Sequence, residues 1–481
     1  MTILVILLIL LFLLNFVFSG TVIFLERRNI GATWAWLLVL LFIPVAGFII
    51  YLIFGQNLSR RKIFEWKDQE KIGIKETIQS QVELLENNAF PFHDERTVRY
   101  KDLVYMLLIN DGAVLSQDND IEIFTDGKEK FRSLFEDIEQ AKDHIHLVYY
   151  IIRNDDLGKR LVEILTRKAY EGVKVRVLYD DMGSKELPRK FFKSLTDAGG
   201  QVAAFFPAKI PMLNLRVNFR NHRKLAIMDG KIGYIGGFNI GDEYLGLVKK
   251  FGYWRDTHLK IKGKAVYAMQ TRFILDWNQA SDEEIHYEQR FFPEVQYMGD
   301  TDVQIVSSGP DSEWEQIKNG YLKMINSAKR YIYMQTPYFI PDDSVIDALK
   351  IACLSGVDVR IMIPNKPDHM FVYWATFSNI GMLLKSGAKV YIYENGFIHA
   401  KMLVVDGKIA TVGTANIDVR SFRLNFEVNA FLYNQILAQK LEDIFIDDML
   451  HSRELTFEAY RERPLNIRFK ESISRLLSPI L

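Results

Sequence analysis

HRKLAIMDGKIGYIGGFN, residues 222–239, and HAKMLVVDGKIATVGTAN, residues 399–416, decide how this 481-residue chain is organised. Both read H-x-K-x-x-x-x-D-G-K-I, then a glycine and a second small residue, then Asn, at identical offsets. The chain has 9 histidines, and chance supplies only about 0.04 matches to H-x-K-x4-D, so two copies point to duplication. Each copy reads locally as a hairpin. His and Lys two apart share one strand face, so His222 stands with Lys224 and His399 with Lys401. Leu225 and Ile227, and Leu403 and Val405, give that strand a buried character, while Asp229–Gly230 and Asp406–Gly407 are turn signals. Gly236, Gly237 and Gly413 with Thr414 are small enough for a substrate to approach the backbone closely. Asn239 and Asn416 carry amide hydrogens that an oxygen anion can accept.

The repetition extends outward. Residues 144–152 read as a strand leading through Asn154, Asp155 and Asp156 into a helical stretch, then Gly172 and a strand at 173–178. Residues 331–340 lead through Pro341, Asp342 and Asp343 into a second such helix, then Gly356 and a strand at 357–363, so that EGVKVRVLYD matches SGVDVRIMIP. Alternating strands and helices predict sheets covered by helices, one sheet per half. The expected fold class is α/β, with one lobe per half, each a mixed sheet flanked by helices, at 118–295 and 296–463.

Composition narrows the function classes. With 49% apolar residues and 13 prolines the chain is neither disordered nor fibrous. One cysteine, Cys353, makes no internal disulfide. Sixty basic against 60 acidic side chains give no global attraction to nucleic acid.

The average conceals an uneven chain. Residues 3–25 carry no charge, Glu26, Arg27 and Arg28 follow, and 29–59 are again uncharged. About twenty apolar residues cross a bilayer, so residues 1–61 are expected to form a two-span hairpin, with spans at 3–25 and 32–54. Trp34 and Trp36 near one end of the second span and Tyr51 near the other read as interfacial anchors, and Pro44 and Gly47 as a kink. A cleaved secretion signal would want a basic n-region, and no basic residue precedes the first run. Arg60, Arg61 and Lys62 favour a cytoplasmic catalytic part, whereas Arg27 and Arg28 pull the other way. Residues 62–117 read as a charged, helix-rich connector. The stretch 464–481 repeats Phe469, Ile473, Leu476, Leu477 and Ile480 among Arg468, Lys470 and Arg475. This is a basic amphipathic helix that either packs on the lobes or lies on a membrane.

The paired motifs resemble those of the phospholipase D superfamily. Within it the chain is most similar to the bacterial cardiolipin synthases, through WAWLLVLLFIPVAGFIIYLIFG, GGFNIGDEYLG, YWRDTH, TPYFIP and NIDVRSFRLNFEVN. The resemblance implies lobes that meet across a pseudo-twofold axis, so that both motifs form one site. It implies catalytic His222, Lys224, Asp229, His399, Lys401 and Asp406, with His222 the nucleophile and His399 the acid and later base. Asn239 and Asn416 would join the lysines on the phosphoryl oxygens. Asp256 and Glu427 would orient the imidazoles through carboxylates beyond the motifs. For Asp229 and Asp406 a structural role at the strand end stands equally open. No metal or other cofactor is implied, and no local cluster of ligand residues reads as a metal cage.

The implied reaction is phosphatidyl transfer between two phosphatidylglycerols, giving cardiolipin and glycerol through a phosphatidyl-histidine, at the cell membrane and without nucleic acid. A hydrolytic phospholipase D, a nuclease and a non-catalytic membrane scaffold are the rival readings. His144, His146 and His258 read as packing residues. His369 sits in a loop that could meet substrate. TPYFIP, residues 336–341, reads either as core or as the lining of a lipid entrance. Arg216, Arg220 and Arg223 give the first motif a basic approach, with a solvated patch as the plain alternative.

Overall fold

The computed structural model describes residues 2–25, 30–54, 74–207, 218–294 and 299–476. They fall into two compact units, one built on the N-terminal helices and one containing both lobes.

In the first unit, helices span Thr2–Leu25, Ile30–Phe42 and Ala46–Phe54. The second apolar run is therefore not one helix. Pro44 has no N–H to continue the ladder, Val45 takes a left-handed φ of 65°, and the chain turns. Trp36 and Tyr51, expected at opposite ends of a span, meet edge to face at 5.3 Å, and Phe18 stacks on Phe48 at 3.9 Å. Tyr51 is buried rather than placed as an anchor. Helices of 13 and 9 residues reach about 20 and 14 Å, short of a hydrocarbon layer of about 30 Å. Among the residues whose side chains are described, no helix is long and apolar enough to cross a membrane.

The second unit carries the duplication expected from the sequence. Its first half has strands β1 (Ser116–Asp126), β2 (His144–Tyr149), β3 (Lys174–Asp180), β4 (Gln201–Phe205), β5 (Arg220–Asn221), β6 (Leu225–Met228), β7 (Ile232–Gly236) and β8 (Trp254–Lys262). β2, β3 and β4 run parallel, and β6, β7, β8 and β1 continue the sheet antiparallel from β2. The second half has β9 (Thr301–Ser308), β10 (Tyr331–Gln335), β11 (Phe339–Ile340), β12 (Asp358–Pro364), β13 (Lys389–Tyr393), β14 (Phe397–Ile398), β15 (Met402–Val405), β16 (Ile409–Gly413), β17 (Ile417–Asp418), β18 (Asn425–Leu432) and β19 (Ser452–Leu455). β10, β12 and β13 are parallel, and β15, β16, β18 and β9 continue antiparallel from β10. The two sheets thus share one order, and β1 pairs with β9 to join them.

Each sheet has its own apolar core. Part of the expected connector belongs to the second one: Leu85, Leu103, Val104, Leu107 and Leu108, from helices Ile74–Glu86 and Lys101–Asp111, are buried there.

The lobes are also linked by short parallel pairings. β5 lies along the start of β18, and β14 along the start of β8. A buried ion pair reinforces the first of these. Arg223 binds Asp276 at 2.8 and 2.9 Å and donates to the carbonyls of Glu427 and Ser308 in the other half. Arg223 is thus part of the lobe junction, not a surface patch at the motif. Arg216 lies outside the described residues. Asp276→Ala strands the guanidinium without its buried carboxylate, so denaturant unfolding is expected to show a loss of about 3–5 kcal/mol.

Candidate active site

The hairpins form as their sequences dictate. Asp229 and Gly230, at φ 54° and 63°, and Asp406 and Gly407, at 54° and 62°, make left-handed two-residue turns. Lys231 donates its backbone N–H to Met228, and Lys408 to Val405, both at 3.0 Å. The aspartates then look away from the chemistry. Asp229 accepts the backbone N–H groups of Lys142, Asp143 and His144 at 2.8–3.0 Å. Asp406 does the same for Lys329, Arg330 and Tyr331 at 2.8–2.9 Å. Four strand residues separate each aspartate from its motif lysine, roughly 16 Å at about 3.3 Å per residue. Each carboxylate ties its hairpin to the start of the neighbouring strand, a contact of the kind the structural one of the two open roles would make.

At the other end of each hairpin, His222 and His399 are buried and each meets a carboxylate of the opposite half. The His222 N–H donates to Phe426 O at 2.9 Å along the β5–β18 pairing, and the His399 N–H to Arg255 O at 2.7 Å along β14–β8. These backbone bonds carry His222 Nδ1 to 2.9 Å from both oxygens of Glu427, and His399 Nδ1 to 2.7 Å from Asp256 Oδ2. Each imidazole thus meets the carboxylate that lies beyond the other half's motif, His222 with Glu427 and His399 with Asp256. With Nδ1–H donating to the carboxylate, Nε2 of each ring carries the lone pair.

The lysines fold back on their own histidines, Lys224 Nζ to His222 O at 2.5 Å and Lys401 Nζ to His399 O at 2.6 Å. Lys401 also lies 2.9 Å from His399 Nε2. Their charges reach across the halves, Lys401 acting on His222 and Lys224 on His399. Burial dominates the electrostatics. It lowers both imidazoles to about 4, with Glu427 and Asp256 opposing it and the lysines adding to it. It also lowers Lys224 to about 7 and Lys401 to about 8. Burial alone would raise the Glu427 carboxyl, but His222, Lys224 and the Thr414 hydroxyl outweigh it and hold it below the usual range. Near neutrality the site is a pair of neutral imidazoles backed by carboxylates and flanked by two lysines on the verge of losing their protons.

Several neighbours were not legible as site residues. Tyr150 packs edge-on to His222 at 4.8 Å, with Lys224 Nζ 5.3 Å from its ring centre, and Trp254 lies 5.2 Å from His399. Asp180, pushed up to about 6 by burial, accepts the backbone N–H of Asn221 at 2.8 Å and so holds the residue before His222. The available signal was divergence, since Asp180 stands where the second copy has Pro364.

The small residues face the protein's own groups rather than a substrate. A Cβ at Gly237 would collide with the Asp256 carboxylate and one at Gly413 with the Asn429 side chain, while Thr414 donates to Glu427 Oε2 at 2.6 Å. Asn239 is tied into the scaffold, accepting from Ile151 N–H at 3.1 Å and donating to the Tyr244 hydroxyl at 3.2 Å. Asn416 is buried, and its Oδ1 has no hydrogen-bond partner among the described residues.

The remaining expectations resolve as follows. His144, His146 and His258 are fully buried packing residues, and TPYFIP is mostly core. Its Tyr338 donates to Asp368. His369 is exposed at the start of the helix Met370–Lys385. Arg220 is half-buried on β5. No three His, Cys, Asp or Glu among the described residues are grouped as a metal would require.

The description "Cardiolipin synthase, PLD-like domain" fits residues 134–277 and 321–449, one match per half. The chain belongs to the cardiolipin synthase family of the phospholipase D superfamily. Residues 5–56 match the phospholipase D-nuclease N-terminal family. A cardiolipin synthase of Listeria monocytogenes serotype 4b (strain CLIP80459) is 63% identical over 476 residues, 99% of each chain. The major cardiolipin synthase of Bacillus subtilis (strain 168) is 62% identical over 477 residues, again 99% of each. Among solved structures, a phosphatidylserine synthase of Haemophilus influenzae Rd KW20 shares the fold at a TM-score of 0.59 and 16% identity, over 75% of this chain and 95% of that one.

The lysines make anion binding pH-dependent with a definite sign. Below about 7 both are charged and attract an oxyanion; raising the pH through 7–8 discharges them. A bound anion raises their proton affinity, so binding takes up protons in that window. Tungstate affinity, read by calorimetry, should fall by up to about tenfold per pH unit for each proton linked. Equal affinity at pH 6.5 and 8.5 would contradict the placement of the lysines.

Proposed function

We propose that the chain transfers a phosphatidyl group from one phosphatidylglycerol to a second, giving cardiolipin and glycerol, with His222 as nucleophile. The observation that carries this is the crossed pair of imidazole–carboxylate contacts, which leaves two Nε2 atoms available in one buried site. Glu427 holds the His222 Nδ1–H, so the Nε2 lone pair attacks phosphorus. Glu427 then stabilises the positive charge that the ring acquires. His399, its protonated form favoured by Asp256 and by the anionic substrate, gives its Nε2 proton to the departing glycerol oxygen. Lys224 and Lys401 turn from their backbone carbonyls to the non-bridging oxygens, and Asn416 adds its amide. In the second half-reaction neutral His399 removes the proton from a glycerol hydroxyl of the second lipid, that oxygen attacks phosphorus, and His222 leaves. The overall exchange consumes no water and is reversible. Exclusion of water from the intermediate separates transfer from hydrolysis.

The N-terminal segment is proposed to sit in the membrane. The uncharged run 3–25 supports this, and Arg60, Arg61 and Lys62 favour the cytoplasmic face for the lobes. Protease added outside sealed cells should spare the lobes, and cleavage there would refute the orientation.

Purified full-length protein given phosphatidylglycerol alone, with EDTA, should produce cardiolipin and glycerol in equal amounts. His222→Ala and His399→Ala should each lower the rate by about a thousandfold or more. Phosphatidic acid as the main product would favour a hydrolase, and normal turnover by either variant would exclude the paired-imidazole mechanism.

A further inference from the structure

The C-terminal helix is packed the wrong way round for a globular protein. Helix Leu465–Leu476 leaves Leu465 77%, Phe469 67%, Ile473 40% and Leu476 77% exposed, yet buries Glu471 and Ser474 to 3% and 2%. At about 100° per residue the four apolar side chains fall within an arc of about 80°, opposite the buried pair. A helix stabilised only by its own protein turns that arc inward. Here the inward face holds one apolar side chain, half-buried Ile467, between polar ones, and Glu471 is ion-paired with Arg463 at 2.6 Å. Arg468 and Arg475 flank the apolar arc on one side and Lys470 on the other.

The helix is held in place by its neighbour. Tyr460, just before it, packs against Gly381, and Lys470 lies 5.4 Å from the Trp374 ring centre, so it runs antiparallel to the helix Met370–Lys385. Its C-terminal end therefore approaches Met370 and Phe371, each 54% exposed. That end is the rim of the site: Asp368 accepts from Tyr338, and its charge acts on Lys401.

We propose that Leu465, Phe469, Ile473 and Leu476, with Met370 and Phe371, form a docking face that lies in the surface of an anionic phospholipid bilayer and sets the site mouth on the lipid. The flanking cations match the charge of such a surface, and a helix of 12 residues, about 18 Å long, is too short to span and suited to lie in the plane. The placement at the rim draws its significance from the lipid-substrate reading of the site, and to that extent rests on it.

The test uses the full chain. Ile473→Cys in a Cys353→Ala background takes an environment-sensitive fluorophore, and the protein is reconstituted into vesicles of phosphatidylglycerol or of phosphatidylcholine. Insertion predicts blue-shifted emission that brominated acyl chains quench, more strongly in the anionic vesicles. The triple variant Leu465→Ser, Phe469→Ser, Leu476→Ser should lose about tenfold in kcat/KM on vesicle phosphatidylglycerol while staying within about twofold on a monomeric short-chain analogue. A probe that remains water-exposed on vesicles overturns the proposal. So does a probe shielded without lipid in a concentration-dependent way, which would mean that a second copy covers the face, or an equal loss on both substrates. Wild-type protein inactive on both substrates would instead sink the lipid-transfer reading, with the probe still deciding the docking.

Discussion

Two short stretches of main chain, one from each half and each paired with a strand of the other, hold the site together. β5 along β18 and β14 along β8 are only two residues long at each crossing, but they bring each imidazole to the opposite half's carboxylate. Hydrogen bonding through Nδ1 fixes the tautomer, so Nε2 is the reactive atom in both rings. Neither half contains a complete imidazole–carboxylate pair. A buried carboxylate without its imidazole would be unpaired charge in an apolar setting, so the arrangement favours the joined lobes as well as the chemistry. The Arg223–Asp276 pair, beside the same crossing, adds to that preference.

Symmetry is followed by the scaffold and relaxed at the chemistry. Asp229 and Asp406 do the same work at the same place, each accepting three successive backbone N–H groups. The carboxylates that support the imidazoles are not equivalent. Glu427 receives a hydroxyl from Thr414, whereas Asp256 has Gly237 against it because no side chain fits. Asn239 is bound into the scaffold, while the Asn416 amide oxygen has no partner among the described residues. The proposed reaction asks one motif copy for a nucleophile and the other for an acid, and these differences make the two copies chemically distinct.

The depressed proton affinities follow from the same burial. Taking imidazole and ammonium groups out of water disfavours their charged forms, so the empty site holds less positive charge than its residues suggest. In the proposed reaction an arriving phosphodiester supplies the missing anion, which couples protonation of His399 to the presence of substrate.

From its sequence alone the chain determined the duplicated α/β fold, the hairpins and their turns, and the imidazole–lysine pairs, because strand alternation and Asp-Gly turn chemistry are local and recur at fixed offsets. The acidic residues near the imidazoles, Asp256 and Glu427, could also be named from it. Which carboxylate meets which ring was decided by tertiary structure, since it depends on main-chain pairing between segments far apart that leaves no trace in side-chain pattern. The same holds for Asp180 and Tyr150, whose places beside His222 come only from proximity, and for the three backbone donors that meet each of Asp229 and Asp406, whose role the motif left open. Pro44 was read as a kink, but only packing showed a turn sharp enough to bring Trp36 onto Tyr51. The amphipathic pattern of the last helix was plain in sequence. Which of its faces turns outward was decided by the Arg463–Glu471 pair, because a buried charge must keep its partner, and that left the apolar side exposed.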